Sequence, residues 1–333
     1  MIIQPMHTPT HPLPDNTVNL ATDFLSGVCE LTHWGVIRAV GEDAVKFLQS
    51  QLTQDVASMR LSEAYLAAFC NAKGRMQASF IVFKRSQQEV FLVCSRDILA
   101  QTRQRLSIFV MRAKVTLTDA SAEFLLYGLA GRAVESALSD PSVMGLKADT
   151  DIDTGAGAAH QQMYLYPAAG QARALWCAPL GTPPPLGATL PPDVWAWLEV
   201  QSGIAMITQP IFEALVPQML NYESVGGVSF KKGCYPGQEI VARSQFRGTI
   251  KRRAYLVHSS TQACVGQALF YGQDTEQPCG VVAACAPNPS GGFDALVSVQ
   301  TAAAAGEWPL CLATPSGAVL TIQPLPYALL EDI

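Results

Sequence analysis

Apolar positions along the chain switch between two spacings. In "GEDAVKFLQSQLTQDV" (Gly41–Val56), Val45, Leu48, Leu52 and Val56 recur near helical spacing, which predicts a helix. Short β-rich runs follow: "AYLAAFC" (Ala64–Cys70), "MQASFIVF" (Met76–Phe83) and "EVFLVC" (Glu89–Cys94). The polar turn "NAKGR" (Asn71–Arg75) divides the first two and reads as a hairpin. "SRDILAQTRQRLSIF" (Ser95–Phe109) returns to helical spacing, with Ser95 as its cap and Ile98, Leu99, Leu106 and Phe109 turned inward. Strands are expected over Ala113–Thr118 and Phe124–Ala130, a short helix over Gly131–Leu138, and a glycine-rich loop over Asp140–Gly170. A proline-rich connector, Pro179–Asp193, leads into a helix beginning at "DVWAWLEVQSGIAMI" (Asp193–Ile207), with Trp195, Leu198 and Ile204 as apolar positions.

After Arg253 the texture changes. The runs "AYLVH", "QALFY", "CGVVAAC", "ALVSVQ" and "AVLTIQPLP" alternate with Gly, Pro and Asn turns, which predicts a small antiparallel barrel or sandwich beginning near Thr249–Ala254. A length of 333 residues suggests two or three domains. With 49% hydrophobic and 15% charged residues the chain can build sizeable cores. A net charge of -5 argues against a general role on nucleic acid or a membrane surface, but leaves room for a local anion site. Nine cysteines without a C-x-x-C pair fit a reducing cytosol, so a cytoplasmic location is expected and a disulfide framework or metal spacing is not. No run approaches a membrane span. The N-terminus, rich in Pro, Thr and His, reads as a flexible tail and not as a targeting peptide.

Candidate chemistry concentrates in "GGVSFKKGCYPGQEIVARSQFRGTIKRR" (Gly226–Arg253). Gly226, Gly227, Gly233 and Gly237 imply close backbone approach or positive φ, Pro236-Gly237 is a turn signal, and "QEIVARSQF" reads as a helix ended by Gly248. Cys234 stands just before that helix, where N–H groups and nearby lysines favour thiolate. The competing reading is a cysteine packed as a small hydrophobe. Lys231, Lys232, Arg243, Arg247, Lys251, Arg252 and Arg253 place seven of the chain's 22 basic residues here. They form either an anion site or simply a solvated face. No dinucleotide fingerprint or Walker loop is present, and the five histidines form no metal-like cluster.

"SFKKGCYPGQEIVAR" resembles the K-G-C-Y-x-G-Q-E signature of the YgfZ family, the folate-binding proteins of iron–sulfur cluster maintenance. "GEDAVKFLQSQLTQDV", "CNAKGRMQASFIVF", "VPQMLNYESVGGVSF" and "IQPLPYALLED" are also similar to family segments, so the resemblance runs from about Ala21 to the end, weakly over Asp140–Pro192. It implies an α+β chain with the three-domain fold of the aminomethyltransferase T-protein around a central cleft, closed by a C-terminal antiparallel β-barrel. Residues 1–18 are then a tail, 19–50 with 120–248 a discontinuous first domain, 51–119 an inserted α+β domain, and 249–333 the barrel.

The resemblance implies tetrahydrofolate or a derivative as cofactor, with no metal bound to the isolated protein. Expected partners are folate and iron–sulfur proteins or their assembly factors, with tRNA involved only indirectly and no membrane. It implies Cys234 as the functional thiol and a possible cluster ligand. The signature site would be Lys231, Gly233, Tyr235, Gly237, Gln238 and Glu239, with Arg243, Arg247 and Lys251 as anion partners and Asn71 and Lys73 at the cleft border. Two departures from the T-protein matter. Ala78 and Ser79 stand where the T-protein has an acidic pair, and neither can deprotonate an amine. Gln201 in "VQSG" stands where a folate-binding glutamate is expected, with Glu199 close by as a substitute. A folate-dependent one-carbon transferase and an RNA-contacting module are the alternatives to the accessory role.

Overall fold

The computed structural model describes residues 24–134, 148–149, 160–246, 250–272 and 277–330. They form two five-stranded sheets and a closed barrel, all with antiparallel pairing. The first sheet orders β1 (Gly27–Glu30), β7 (Phe124–Ala130), β10 (Gln171–Pro179), β9 (Gln161–Ala168) and β8 (Ala148–Asp149). The second orders β3 (Ala64–Cys70), β4 (Met76–Ser86), β5 (Glu89–Ser95), β2 (Trp34–Val40) and β6 (Thr116–Asp119). The barrel runs β11 (Arg252–Ser259), β14 (Phe293–Gln300), β13 (Gly280–Pro287), β12 (Ala268–Tyr271), β15 (Leu310–Leu312) and β16 (Val319–Gln323). Among the described residues, no helix is long and apolar enough to cross a membrane.

The second sheet sits between two cores, which explains its unbroken apolar runs. Along β4, Ala78, Phe80 and Val82 join a core with Leu48, Ile98, Leu99 and Leu106 from helices α1 (Ala44–Gln49) and α2 (Arg96–Ile108). The alternate residues Ile81 and Phe83 face Leu126, Leu175, Trp195 and Leu198, from the first sheet and helix α3 (Pro192–Gln201). Successive strand side chains point to opposite faces, so a strand covered on both faces is apolar at every position. At Gly128 on β7, an added Cβ would lie 2.5 Å from the Trp195 ring, so only glycine lets α3 approach that closely.

Strand pairing corrects several expectations. β2 pairs with β5 and β6, so the inserted unit begins near Trp34 and not at residue 51. The helix expected to Val56 ends at Gln49, and Leu52 instead bridges to Phe69. The loop expected through Gly170 contains β9, whose alternating Met, Tyr and Leu residues carry the strand signal. Helix α3 stops at Gln201, two residues before Gly203 at φ +70. Phe109, expected inward, is exposed. The helix read over Gly131–Leu138 is a three-residue 3₁₀ turn within its described part, Gly131–Ala133. The N-terminal tail lies outside the described residues.

The barrel is latched to the rest by buried polar groups. Asp294, 1% exposed, accepts hydrogen bonds from Trp197 Nε1 (2.7 Å) and Gln201 Nε2 (2.8 Å) of α3, and its other oxygen meets His258 Nδ1 at 2.8 Å. Arg253 on β11 pairs with the buried carboxylate of Glu223 at 2.7 Å.

Candidate functional site

The signature loop is clamped from three sides. Lys232, the lysine adjoining Gly233, is buried, and its Nζ donates to the carbonyls of Gln49, Leu52 (2.6 Å) and Gln54 (3.0 Å) in the turn after α1. Burial pushes its ammonium down to about 8. The same ammonium lies 5.2 Å from the centre of the Tyr235 ring. Tyr235 is itself buried, and desolvation raises its hydroxyl well above the usual tyrosine range. Gly237, at φ +79, seats the loop against the Asn71–Arg75 hairpin, where a Cβ would collide with the Asn71 carbonyl and Gly74. Helix α4 (Gln238–Phe246) starts directly after it. Held by Lys232, Tyr235 and Gly237, the loop leaves Lys231, Gly233 and Cys234 exposed.

The hairpin turn is ordered from within. Asn71 Oδ1 accepts from the N–H groups of Lys73 (2.9 Å) and Arg75 (3.1 Å), while the Lys73 side chain stays exposed. Asn71, Lys73, Arg75 and Glu213 line a small cleft beside the loop. Hydrogen bonds from Gln77 and Asn71 hold the Glu213 carboxyl below its ordinary range.

The seven basic residues do not form one patch. Lys232 and Arg253 are turned inward onto protein partners. Arg243 and Glu239 are exposed on α4 and Gln238 is half-buried at its start. Lys251 lines a separate cleft with Ser244 and Gln218, and Arg247 lies outside the described residues.

A second location is a mostly apolar cavity of about 940 Å³, mouth included, enclosed by both sheets, α3 and the barrel. Glu199 of α3 lines it, and Gln201, bonded to Asp294, does not. Glu199 Oε2 lies 3.4 Å from His33 Nε2 at the rim, and Glu199 Oε1 is buried with no hydrogen-bond partner among the described residues. Arg173, 4% exposed, also lines the cavity, with its guanidinium 4.5 Å from the centre of the Trp195 ring. Burial lowers the Arg173 pKa to about 10, so it remains charged at neutral pH. Thr208 Oγ1, also on the cavity wall, is buried without a hydrogen-bond partner among the described residues. Buried polar atoms are ordinarily paired, so an unpaired set converging on one cavity points to a ligand. Ser79 lines the cavity as well, with its Oγ accepting from the Ile207 N–H at 2.8 Å. Cys234 and the signature loop do not border this cavity.

Sequence reasoning missed Arg173, Thr208 and His33. Arg173 carried a readable signal: a lone cation inside the apolar strand "QARALWCAP" must be buried with a purpose or a partner. The other two carried none.

Cys234 and Cys264 are exposed, whereas burial raises the thiols of Cys29 to about 11 and of Cys70 and Cys177 to about 12. An aromatic disulfide reagent applied to the native protein is therefore expected to titrate two fast thiols, and one in Cys234→Ser. A fast phase unchanged in that variant would show that Cys234 is inaccessible.

A family model described as the GCVT N-terminal domain matches residues 20–151. The chain is 30% identical over 342 residues to the tRNA-modifying protein YgfZ of Sodalis glossinidius, covering 97% of this chain and 98% of that one. To the protein of the same name from Yersinia enterocolitica it is 29% identical over 313 residues, covering 91% and 92%. Among solved structures it is similar to the glycine cleavage system aminomethyltransferase T from Bartonella henselae, with a TM-score of 0.65 at 13% identity over 91% of this chain and 86% of that one. That likeness shows the T-protein fold.

Proposed function

Because this chain belongs to the YgfZ family, we propose that it is a folate-binding accessory protein supporting iron–sulfur cluster assembly or repair, and through it the iron–sulfur enzymes that modify tRNA. The observation carrying this reading is the central cavity, whose mostly apolar wall is broken by Glu199 with a free acceptor, the buried cation Arg173 and Thr208. A flat heterocycle with an amino-pyrimidinone edge, as in a reduced folate, offers two N–H donors that a carboxylate accepts with charge assistance. Trp34 and Leu66 supply apolar wall for the ring. Glu199, not Gln201, is the acid available for this role, which suits the replacement of the T-protein's glutamate by Gln201. Reduced folate, when bound, supplies a one-carbon carrier and a reducing ring.

The two sites divide the work. The cavity holds the ligand, and Cys234, on its clamped loop, faces solvent and protein partners. Neither Ala78 nor Ser79 brings a carboxylate to the cavity, and Glu199 is the sole acid lining it among the described residues. One-carbon transfer therefore has less support than the accessory role. The RNA-contacting reading loses its continuous basic surface once Lys232 and Arg253 turn inward.

The test uses two substitutions in parallel. Glu199→Ala is expected to weaken tetrahydrofolate binding by about tenfold to a hundredfold, the effect of losing a charge-assisted hydrogen bond, as read by calorimetric titration. Cys234→Ala is expected to bind tetrahydrofolate normally, yet fail to restore iron–sulfur enzyme activity in a strain lacking the protein. Unchanged affinity in Glu199→Ala, or full restoration by Cys234→Ala, counts against the corresponding half of the reading.

A further inference from the structure

We propose that Cys264 and Cys285 form a redox pair in the barrel wall of the central cavity, closing to a disulfide with a low-molecular-weight disulfide such as glutathione disulfide and so weakening ligand binding there. The effect on binding rests on the folate reading above, whereas formation of the bond does not.

Cys285 lies on β13 and, with Val265, Ala283 and Ala284, forms the barrel's share of the cavity wall. Its Sγ donates to the Ala263 carbonyl at 3.1 Å and also meets the Val265 N–H. These two backbone groups flank Cys264, so the sulfur of Cys285 nests in the turn that carries the second thiol. That turn is pinned to β13: the Gly266 N–H donates to the Val282 carbonyl and the Val282 N–H to the Gln267 carbonyl, both at 2.9 Å. Contacts with the groups on either side of Cys264 thus set the Cys285 sulfur against that residue's backbone, and rotation about χ1 then has only to bring the two sulfurs together, provided the backbone holds the Cβ atoms at the ~3.5–4.5 Å that a disulfide needs.

Their exposure sets the order of events. Cys264 is exposed and Cys285 half-buried, with its thiol raised by desolvation. The Cys264 thiolate attacks one sulfur of glutathione disulfide, forming a mixed disulfide and expelling glutathione thiolate. Cys285 then gives its proton to solvent and attacks the Cys264 sulfur, expelling the second glutathione. Two protein thiols lose two electrons, and one glutathione disulfide becomes two glutathione molecules. Closure exchanges the Cys285 contact with Ala263 for the bond to Cys264, and so moves a sulfur that lines the cavity.

The experiment treats the full chain, as wild type and as Cys285→Ser, with glutathione disulfide at mildly alkaline pH. Unreduced digests are then read by mass spectrometry, and tetrahydrofolate is titrated before oxidation, after it, and after dithiothreitol. In the wild type a Cys264–Cys285 linked peptide is expected, with tetrahydrofolate affinity about tenfold weaker and restored by dithiothreitol; Cys285→Ser should stop at glutathione on Cys264. A stable mixed disulfide on Cys264 in the wild type overturns the pairing. A linked peptide with unchanged affinity overturns its control of the cavity. Reduced wild type that binds no tetrahydrofolate refutes the folate reading and the coupling to it, and the linked peptide still decides whether the pair exists.

Discussion

Replacing Lys232 with methionine is expected to lower the unfolding free energy by about 2–4 kcal/mol, because it takes a donor from three carbonyls at once, leaving that of Gln54 with the Val56 N–H alone among the described residues, and each poorly satisfied buried acceptor costs on the order of 1 kcal/mol. The carbonyls of Gln49, Leu52 and Gln54 lie in one turn, and the Lys232 ammonium is the group that gathers them. Methionine keeps most of the stem's packing, so the loss reports the polar clamp and not a cavity. The pH dependence gives a second signature. The folded lysine titrates at about 8, against ~10.4 for a free lysine. Between those values the unfolded chain binds the extra proton, so wild-type stability rises with pH across that window relative to Lys232→Met. Urea unfolding at pH 7, 8, 9 and 10 checks both points. A methionine variant as stable as wild type, with a parallel pH profile, would show that the lysine does not hold the loop.

A larger loss is expected from Arg253→Met, about 3–5 kcal/mol, because it leaves the Glu223 carboxylate buried without its countercharge. The Glu223 side chain has no exposure, and Arg253 also donates to the Leu330 carbonyl at 2.9 Å, so the pair ties β11 to both the segment before the signature loop and the C-terminus. Burial already raises the Glu223 pKa despite the arginine. Without Arg253 it rises further, so the stability deficit is smallest at acid pH, where the carboxyl is protonated, and grows as pH rises through the folded pKa. The double substitution Arg253→Met with Glu223→Met is expected to recover most of the loss, because an apolar pair of similar size removes the stranded charge. Additive losses in the double variant would rule out the ion pair as the cause.

Much of this architecture was readable in the residues, and the misses have physical causes. The barrel announced itself through short runs broken by Gly, Pro and Asn. β2 was assigned to the wrong unit because strand pairing between Val36 and Val93 is a long-range event that leaves no local mark. Phe109 looked inward because helical spacing marks a face without saying whether anything covers it. At the site, three of the four glycines near Cys234 fit the reading, Gly226 and Gly237 by positive φ and Gly227 and Gly237 by close approach, whereas Gly233 has open space around it and no positive φ. The basic count misled, because a lysine bonded to carbonyls and a lysine in water look alike in a sequence. The cavity was the least legible feature, since Glu199, Arg173 and Thr208 come from separate segments that only the completed fold brings to one wall.

The pairing of β1 with β7 has a consequence for synthesis. Glu30 partners Tyr127, so β1 leaves the ribosome with its mate still ~100 residues from being made, a wait of several seconds or more at ~5–20 residues per second. Throughout that interval the four-residue strand β1 lacks its one neighbour in the described sheet. Nascent chains of this protein should therefore lean on trigger-type holding factors until residue 130 emerges, and a version permuted to begin after β1, with that strand moved to the far terminus, should be released from that dependence.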